Sequence, residues 1–400
     1  MQQRTYTMRD FYFWKITISL ALASFFVFAS MYAVQPLLPV FVDAFGVSVS
    51  TSSLSISLTI IGLIVGLIVL GFFSDRNGRT IFIKFSLLGS VIPFLLIPLT
   101  DSFMIILALR LLQGFALAGL PAASLAYLNE EVEKRSVGVA TALYISSNAL
   151  GGMMGRVLTG FITDHYSWET AFYFLASVGL VILVAVFTML PKSQNFESSN
   201  QSFSRDIEAF LFHLKNPALL LVFGLGVVLQ FSFTGIWTYL PFHLQADPFS
   251  LSLEAVSNMF FAYGLGVVGS PLAGWLAGRL GLRQVRMAGI VTLSIGLFLT
   301  LAQSVVIIII GLCVACLGFF TAHSLTAASV SEQATHHKGS ASSLYLVAYY
   351  IGVSLGSSAL APVWSQTGWS GLVLLTGVLP VAYLVFVTAM QARAKKVARK

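Results

Sequence analysis

Two polar side chains within one long apolar segment are the first candidates for chemistry. Arg110 and Gln113 stand one helical turn apart in the segment IILALRLLQGFALAG. A charge in apolar surroundings costs free energy unless it meets water or a partner, so both residues are candidates for a role in a polar cavity or in coupling. The alternative is a purely structural hydrogen-bonding centre.

His323 is the second candidate, because a histidine changes its charge near neutral pH. It stands inside another apolar segment, GFFTAHSLTAAS. An imidazole with an ordinary pKa of about 6.5 exchanges protons across the physiological range, so His323 could couple a process to protons. The alternative is a neutral histidine that is hydrogen-bonded to a neighbouring backbone group or to Ser324.

The acidic residues avoid the apolar segments. All 15 fall in connections or near segment ends, so we expect no carboxylate at the centre of a segment, which argues against strongly cationic ligands. An enzyme would need a convergent nucleophile, base or metal set, and the segments contain no such cluster. The pair Cys313 and Cys316 lies within one apolar run and is interpreted as helix packing. The sequence therefore predicts neither an enzyme nor a metal or cofactor site.

The composition indicates which solvent surrounds these segments. Hydrophobic residues make up 57% of the 400 residues and charged residues only 9%, against roughly a quarter charged in soluble domains. About 20 consecutive apolar residues form a helix that crosses a bilayer. By that measure the chain is an all-α membrane protein with twelve spans. They are predicted at residues 14–41, 51–73, 80–99, 103–127, 137–160, 168–190, 217–241, 254–277, 284–302, 304–329, 340–362 and 370–391.

The basic residues predict the orientation of these spans. All but two of the 22 lysines and arginines fall in the terminal segments or in the even-numbered connections. Because such residues are retained on the cytoplasmic side, both termini are predicted to be cytoplasmic. The exceptions are Arg110 and Arg156, and Arg156 is expected to pair with Asp164 or Asp43. The net charge of +7 follows from this asymmetry and requires no nucleic-acid partner.

The chain contains an internal repeat. Its two halves match at an offset of 201 to 204 residues, so that Pro39 corresponds to Pro241 and Tyr144 to Tyr345. An even number of spans in each half predicts parallel repeats, related by an axis along the membrane normal. In such an arrangement the substrate binds near the middle of the membrane between the halves.

The predicted six-helix halves, residues 1–190 and 217–400, are joined by a linker over residues 191–216. The linker is rich in Ser, Asn and Gln, and its apolar residues recur at helical spacing opposite charged ones. This pattern predicts a short amphipathic helix on the cytoplasmic surface, with a flexible tether as the alternative. The apolar positions are Phe203, Ile207, Phe210, Leu211 and Leu214.

A charged motif between spans 2 and 3 resembles a known family pattern. The segment GFFSDRNGR resembles the loop pattern G-x-L-A-D-R-x-G-R-K of the major facilitator transporters. The second half repeats it as GWLAGRLGLR, with Gly278 in place of the acidic residue. The resemblance implies a gate latch, whereas the alternative is that these charges only set the topology. The matching positions are Gly71, Asp75, Arg76, Gly78, Arg79, Gly274, Arg279, Gly281 and Arg283.

Each position of this motif has a physical expectation. The pair Asn77 and Gly78 suits a tight turn. Gly71 would let helix backbones approach closely. Asp75 could accept hydrogen bonds from a helix N-terminus and so favour one arrangement of the halves.

Two further segments refine the resemblance. Arg110 to Gly114 is similar to the family's R-x-x-Q-G signature, whereas span 5 keeps Gly151 and Gly152 but lacks the Gly-Pro of drug antiporters, which weakens an inference of antiport. Over nearly its whole length the chain resembles bacterial inner-membrane proteins of the acriflavine-sensitivity branch. That resemblance implies export of amphipathic compounds.

Aromatic and weakly polar residues recur on single faces of spans 1, 5, 7 and 11. Such a surface suits an amphipathic ligand, because apolar area supplies affinity and a few polar groups set orientation. The alternative for each residue is ordinary helix packing. The candidate cavity residues are Phe28, Tyr32, Gln35, Tyr144, Asn148, Gln230, Thr234, Trp237, Tyr345 and Tyr349.

The sequence therefore predicts a secondary transporter rather than an enzyme or a sensor, since a sensor would usually carry an added soluble domain. We expect a monomeric, proton-coupled exporter of small amphipathic compounds in the bacterial inner membrane, which works by alternating access. The alternative is uptake of a small neutral or anionic metabolite that meets Arg110.

Overall fold

The computed structural model describes residues 5–198, 203–334, 336 and 338–397, and most of these are helical. The bounds of the helices are as follows: α1 Phe11–Tyr32, α2 Leu38–Phe45, α3 Val49–Asn77, α4 Arg79–Leu96, α5 Phe103–Leu117, α6 Gly119–Glu131, α7 Lys134–His165, α8 Trp168–Met189, α9 Phe203–Leu214, α10 Pro217–Gln245, α11 Leu253–Asn258, α12 Gly264–Leu280, α13 Leu282–Leu299, α14 Val305–Gln333, α15 Lys338–Ser358 and α16 Ala361–Val397. The last helix is broken at Gly368, where φ is 61°.

The expected spans all fall on helices. Within the described residues, ten helical stretches are long and apolar enough to cross a membrane. The other two expected spans coincide with α7 and α15, helices of 32 and 21 residues that are richer in Ser, Gly, Asn and Tyr. The all-α membrane fold predicted from composition is confirmed.

Local sequence explains where several helices begin. The Ser48 hydroxyl accepts a hydrogen bond from the Thr51 N–H at the start of α3, and the Asn216 side chain does the same for Ala218 at the start of α10. Each cap satisfies one of the amide groups that a helix leaves without an internal partner. The helix α9 lies in the segment proposed as the linker, and the side chains of Phe203 and Ile207 lie outside the described ones.

The predicted turn at Gly78 is confirmed. Gly78 separates α3 from α4 with φ 98° and ψ 152°, and its repeat counterpart Gly281 separates α12 from α13 with φ 94° and ψ 139°. These backbone conformations are open to glycine and strained for other residues.

Replacing Gly78 with alanine is expected to destabilise the fold by about 1–3 kcal/mol through backbone strain alone. A Cβ at Gly78 would meet no atom within 4 Å, so no clash contributes. The melting temperature of the purified variant measures the effect. Gly138→Ala is the matched control, because Gly138 also has open space but lies inside α7 with an ordinary φ. Equal melting temperatures for the two variants would contradict this reading.

Two compact units make up the chain. The first comprises residues 1–201 with 251–260, and the second comprises residues 202–250 with 261–400. The short helix α11 thus belongs with the first unit, although the internal repeat assigns it to the second half of the sequence. Within the first unit, α11 packs against α7.

The two halves of the internal repeat show the same kind of close helix contact. In the first unit, a Cβ at Gly151 on α7 would overlap the backbone of Phe25 on α1. In the second unit, a Cβ at Gly352 on α15 would overlap the backbone of Val227 on α10. Small residues therefore bring both helix pairs to backbone contact, as expected where helices pack in a membrane.

The glycine of the charged motif does not have the expected role. A Cβ at Gly71 would lie 4.0 Å from the Cβ of Ala122, which is an ordinary contact. The close approach occurs earlier in α3, where a Cβ at Gly62 or Gly66 would overlap the backbone of α5. The expectation that Gly71 lets helices approach closely was therefore wrong. The motif marks the end of the helix and not its tightest contact.

Candidate functional site

Arg110 is fully buried in the first unit, where it joins three helices. Its Nη1 and Nη2 atoms donate to the backbone carbonyls of Ser30 (3.1 Å) and Met31 (2.8 Å) on α1. Its Nε atom donates to the Ser55 carbonyl on α3 at 3.3 Å. Gln113 accepts a further hydrogen bond from Nη1.

Gln113 extends this centre to a fourth helix. Its Nε2 atom donates to the Ser90 carbonyl on α4 at 2.9 Å, and Gln113 is as completely buried as Arg110. From α5, Arg110 and Gln113 thus donate hydrogen bonds to backbone carbonyls on α1, α3 and α4. This geometry corresponds to the structural centre considered as the alternative. The sequence could not identify the acceptors, because they are main-chain carbonyls.

The charged motif of the first unit forms an ion-pair cluster around Arg79. This guanidinium is largely buried, and it pairs with Asp75 one turn earlier and with the Glu130 carboxylate on α6, at 2.8 Å from Nη2 and 2.9 Å from Nε. The partner of Asp75 is thus an arginine side chain, whereas we had expected a helix N-terminus. Arg76 lies against the Phe72 ring, 3.5 Å from its centroid.

The first part of the linker is attached to the same region. Glu131 is 1% exposed, and its carboxylate accepts hydrogen bonds from two successive backbone amides, those of Gln194 (2.6 Å) and Asn195 (2.9 Å). The Phe196 ring lies 5.5 Å from the Arg79 guanidinium. The sequence assigned Glu130 and Glu131 only to a connection, and nothing in their spacing indicated these partners.

The second copy of the motif is more open. Arg279 lies over the Trp275 ring at 4.0 Å, and Arg283 is exposed. A Cβ at Gly274 or Gly278 would meet no atom within 4 Å. With Gly278 in the acidic position, the second copy keeps the turn at Gly281 without the carboxylate of the first copy.

Arg156 contacts two of the proposed cavity residues. Its Nε atom donates to the Gln35 side chain at 2.6 Å, and its guanidinium lies 4.0 Å from the centroid of the Tyr32 ring. All three residues are buried. Asp164, one of the two acids expected to pair with Arg156, instead accepts a hydrogen bond from the Leu253 N–H. The partner found for Arg156 is thus an amide where we had expected a carboxylate.

One group of side chains in the described part of the chain has ligand atoms close enough to share a metal ion. It comprises Asp164, His165 and Glu254, and His165 Nε2 lies 3.8 Å from the Glu254 carboxylate. Asp164 and His165 are exposed to solvent, and Glu254 is partly exposed. Exposed groups of this kind are common without a metal, and we assign no ion to them.

His323 lies in the second unit within a cluster of aromatic rings. Its Nδ1 atom is 2.9 Å from the Tyr345 hydroxyl, so its partner is a tyrosine from α15, whereas the alternative interpretation named Ser324 or a backbone group. The imidazole lies parallel to the Phe319 ring, with centroids 5.5 Å apart, and 4.8 Å from the Tyr349 ring. His323 and Tyr349 are partly exposed, whereas Tyr345 and Phe319 are buried.

Some of the remaining cavity candidates are buried, and others are partly exposed. Tyr144 is buried beside Ser124 and Asn148, and Trp237 is completely buried against the Tyr263 ring, 4.9 Å away. Gln230 and Thr234 are also buried, each 4% exposed. Phe28 and Asn148 keep partial exposure, as His323 and Tyr349 do. Among these candidate residues, partial exposure is therefore found at Phe28, Asn148, His323 and Tyr349.

Comparison with known proteins identifies the class. A family model of the Major Facilitator Superfamily matches residues 20–260 and residues 222–400. The chain is 32% identical over 382 residues to an uncharacterized transporter of Buchnera aphidicola subsp. Schizaphis graminum, covering 96% of this chain and 92% of that protein. The protein therefore belongs to the Major Facilitator Superfamily and is a multi-pass membrane transporter.

Two other comparisons agree with this assignment. The chain is 32% identical over 381 residues to the inner membrane transport protein YnfM of Escherichia coli K12, covering 95% of this chain and 91% of that protein. The fold is similar to that of a D-xylose–proton symporter, with a TM-score of 0.77 at 15% identity, covering 94% of this chain and 97% of that one. The second similarity concerns the fold alone.

Proposed function

We propose that this protein exports small amphipathic compounds across the bacterial inner membrane, in exchange for protons, by alternating access. The observation that carries the proposal is the hydrogen bond between His323 and Tyr345. It involves a titratable group with partial exposure in the C-terminal half of α14, next to aromatic residues. A histidine in such a position can accept a proton in one state and release it in another.

The charge distribution supports this assignment. The acidic residues lie in connections or near helix ends, so His323 is the better candidate for proton exchange within a span. The proposed orientation, with both termini in the cytoplasm, puts the Arg79 cluster on the cytoplasmic face. There the pairs of Arg79 with Asp75 and Glu130 would stabilise one of the alternating states, and their rupture would accompany the other.

The second candidate function loses its main argument. This candidate is uptake of a small neutral or anionic metabolite that meets Arg110. Arg110 is fully buried, and its donors are directed at carbonyl groups and at Gln113. We therefore rank export above uptake, and the direction of flux remains the discriminating measurement.

His323→Ala is expected to abolish transport driven by a pH gradient, because the proposed proton acceptor is removed. The measurement is uptake of a fluorescent acridine dye by everted membrane vesicles after an imposed pH gradient, with and without a protonophore. His165→Ala is the matched control, since His165 is exposed near the end of α7. Unchanged gradient-driven uptake in His323→Ala would exclude His323 as the coupling residue. Uptake equal to that of vesicles without the protein would exclude export of this dye.

A further inference from the structure

A stripe of exposed side chains runs along α12 and ends in the second copy of the charged motif. Val268, Leu272, Trp275 and Arg279 follow one another at spacings of four, three and four residues. This spacing puts all four side chains on one face of the helix. The first three residues are 54% to 66% exposed, and Arg279 is exposed as well. An open apolar stripe therefore leads to a guanidinium.

The stripe has the same order of groups as a phospholipid. Exposed apolar residues of a membrane-spanning helix contact acyl chains, and tryptophan is enriched at the level of the headgroups because its ring is apolar and its N–H group is polar. Arg279 stands one turn beyond Trp275, and its guanidinium lies 4.0 Å from the centroid of that ring. A cation over an aromatic ring is held by electrostatic attraction. The charge is thus positioned at the end of the apolar stripe.

The turn that follows the stripe is rich in cations. The helices α12 and α13 contain no acidic residue, whereas Arg279, Arg283 and Arg286 fall within eight residues. Arg283 is exposed, and Arg286 donates from Nη1 to the Ser329 hydroxyl on α14 at 2.9 Å. The charge of Glu332 on α14 attracts Arg286. In the part of the chain that the structure describes, however, no ion pair joins a carboxylate to any of these three arginines.

The two copies of the motif differ in their negative charge. In the first copy, the Asp75 carboxylate pairs with Arg79. The second copy has Gly278 at the position of Asp75, and a Cβ there would meet no atom within 4 Å. The second copy therefore lacks the carboxylate next to Arg279, and the position is open to a group from outside the chain.

We propose that Trp275, Arg279 and Arg283 bind the headgroup of an anionic phospholipid, with an acyl chain along Val268 and Leu272. The lipid phosphate supplies the negative charge that the second copy of the motif lacks. Guanidinium groups form strong hydrogen bonds with phosphate oxygens, and arginines near a membrane surface attract anionic lipids. A zwitterionic headgroup would bring its own positive charge to a turn that already holds three arginines. This inference does not depend on the substrate or on the direction of transport.

Quenching of tryptophan fluorescence by brominated lipids tests the proposal, because Trp275 lies within the site. The full-length protein is reconstituted into phosphatidylcholine bilayers with increasing fractions of brominated phosphatidylglycerol or, in a parallel series, of brominated phosphatidylcholine. The difference between the wild-type protein and Trp275→Phe gives the signal of Trp275. Phosphatidylglycerol is expected to bind there about tenfold more tightly than phosphatidylcholine. Equal quenching by the two lipids would overturn the proposal.

Variants distinguish a site from a general attraction of anionic lipids to a basic protein. Arg279→Gln is expected to lower the preference for phosphatidylglycerol about fivefold, and Arg279→Lys to retain most of it, since the charge remains. Arg135→Gln is the matched control, because Arg135 is an exposed arginine that lines a cavity with Glu130 and Glu133 in the first unit. Its quenching at Trp275 should equal that of the wild-type protein. An equal loss in Arg279→Gln and Arg135→Gln would contradict a site at Arg279.

A competition experiment separates a lipid from a free anion. Inorganic phosphate is expected to release no more phosphatidylglycerol than sodium chloride of the same ionic strength, because contact of the acyl chain with α12 supplies part of the affinity. Specific release by phosphate would overturn the assignment to a lipid. Melting temperatures of all variants show whether each is folded. Loss of dye transport without loss of this lipid preference would contradict the proposed export and leave the lipid site intact.

Discussion

Replacing Arg110 with alanine is expected to destabilise the first unit by at least about 3 kcal/mol. The variant would remove hydrogen-bond donors from the carbonyls of Ser30, Met31 and Ser55 and from the Gln113 side chain. A buried acceptor left without any donor costs about 1–3 kcal/mol, although the Ser55 carbonyl keeps the Thr59 hydroxyl as a donor. The alanine also leaves a cavity where a large side chain was fully buried. The sum is large compared with the usual effect of one substitution.

Arg110→Lys is expected to recover only part of this loss. A lysine carries its donors on one nitrogen, whereas the guanidinium spreads its donors over three nitrogens that face α1 and α3 at once. The measurement is the melting temperature and the folded yield of each variant in detergent. Arg283→Ala is the control, since Arg283 is an exposed arginine in the second copy of the motif. A stable Arg110→Ala protein that lacked transport would show instead that Arg110 acts on the substrate.

Gly114→Ala is expected to cost about 2–4 kcal/mol, because α5 contacts α3 at backbone distance. A Cβ at Gly114 would overlap the carbonyl oxygen of Thr59 and lie 2.9 Å from its Cα atom. Backbone atoms cannot move aside as a flexible side chain can, so the helices must separate. Such a separation would also pull the Arg110 Nε atom away from the Ser55 carbonyl, which belongs to the same helix pair.

The matched control for Gly114→Ala lies in α3. Gly71→Ala adds the same methyl group at a position where the nearest atom, the Cβ of Ala122, would be 4.0 Å away. Alanine is favoured over glycine inside a helix by up to about 1 kcal/mol, so this variant should keep or slightly raise the melting temperature. Equal destabilisation by both substitutions would contradict the packing argument and would indicate a general intolerance of these helices.

The sequence by itself determined the class of fold. Apolar segments of bilayer length predict spanning helices whatever the rest of the chain does, because every backbone polar group in a membrane must be satisfied locally. The turn at Gly78 was also predicted from the sequence, since a backbone with positive φ favours glycine. Gly151 and Gly352 are 201 residues apart, which is the repeat offset of the two halves, and both contact a neighbouring helix backbone.

The roles of the polar residues were decided only by the tertiary structure. Arg110 and Arg156 were both conspicuous as charges in apolar segments, yet their partners are carbonyl groups and an amide. A hydrogen bond between residues far apart in sequence leaves no periodic signal, so these partners could not be deduced. Glu131 is the opposite case. Nothing in the sequence around it predicted a role, yet its carboxylate accepts hydrogen bonds from the linker amides of Gln194 and Asn195.

The aromatic rings around His323 illustrate the same division. The sequence identified Tyr345, Tyr349 and Gln230 as cavity candidates by their faces on single helices, and it identified His323 by its chemistry. It gave no indication that Phe233 and Phe319 would align rings from two helices or that Tyr345 would bind the imidazole. Helical periodicity fixes which residues share a face within one helix. Which faces meet depends on the packing of helices distant in the chain, and that packing decides which side chains contact one another.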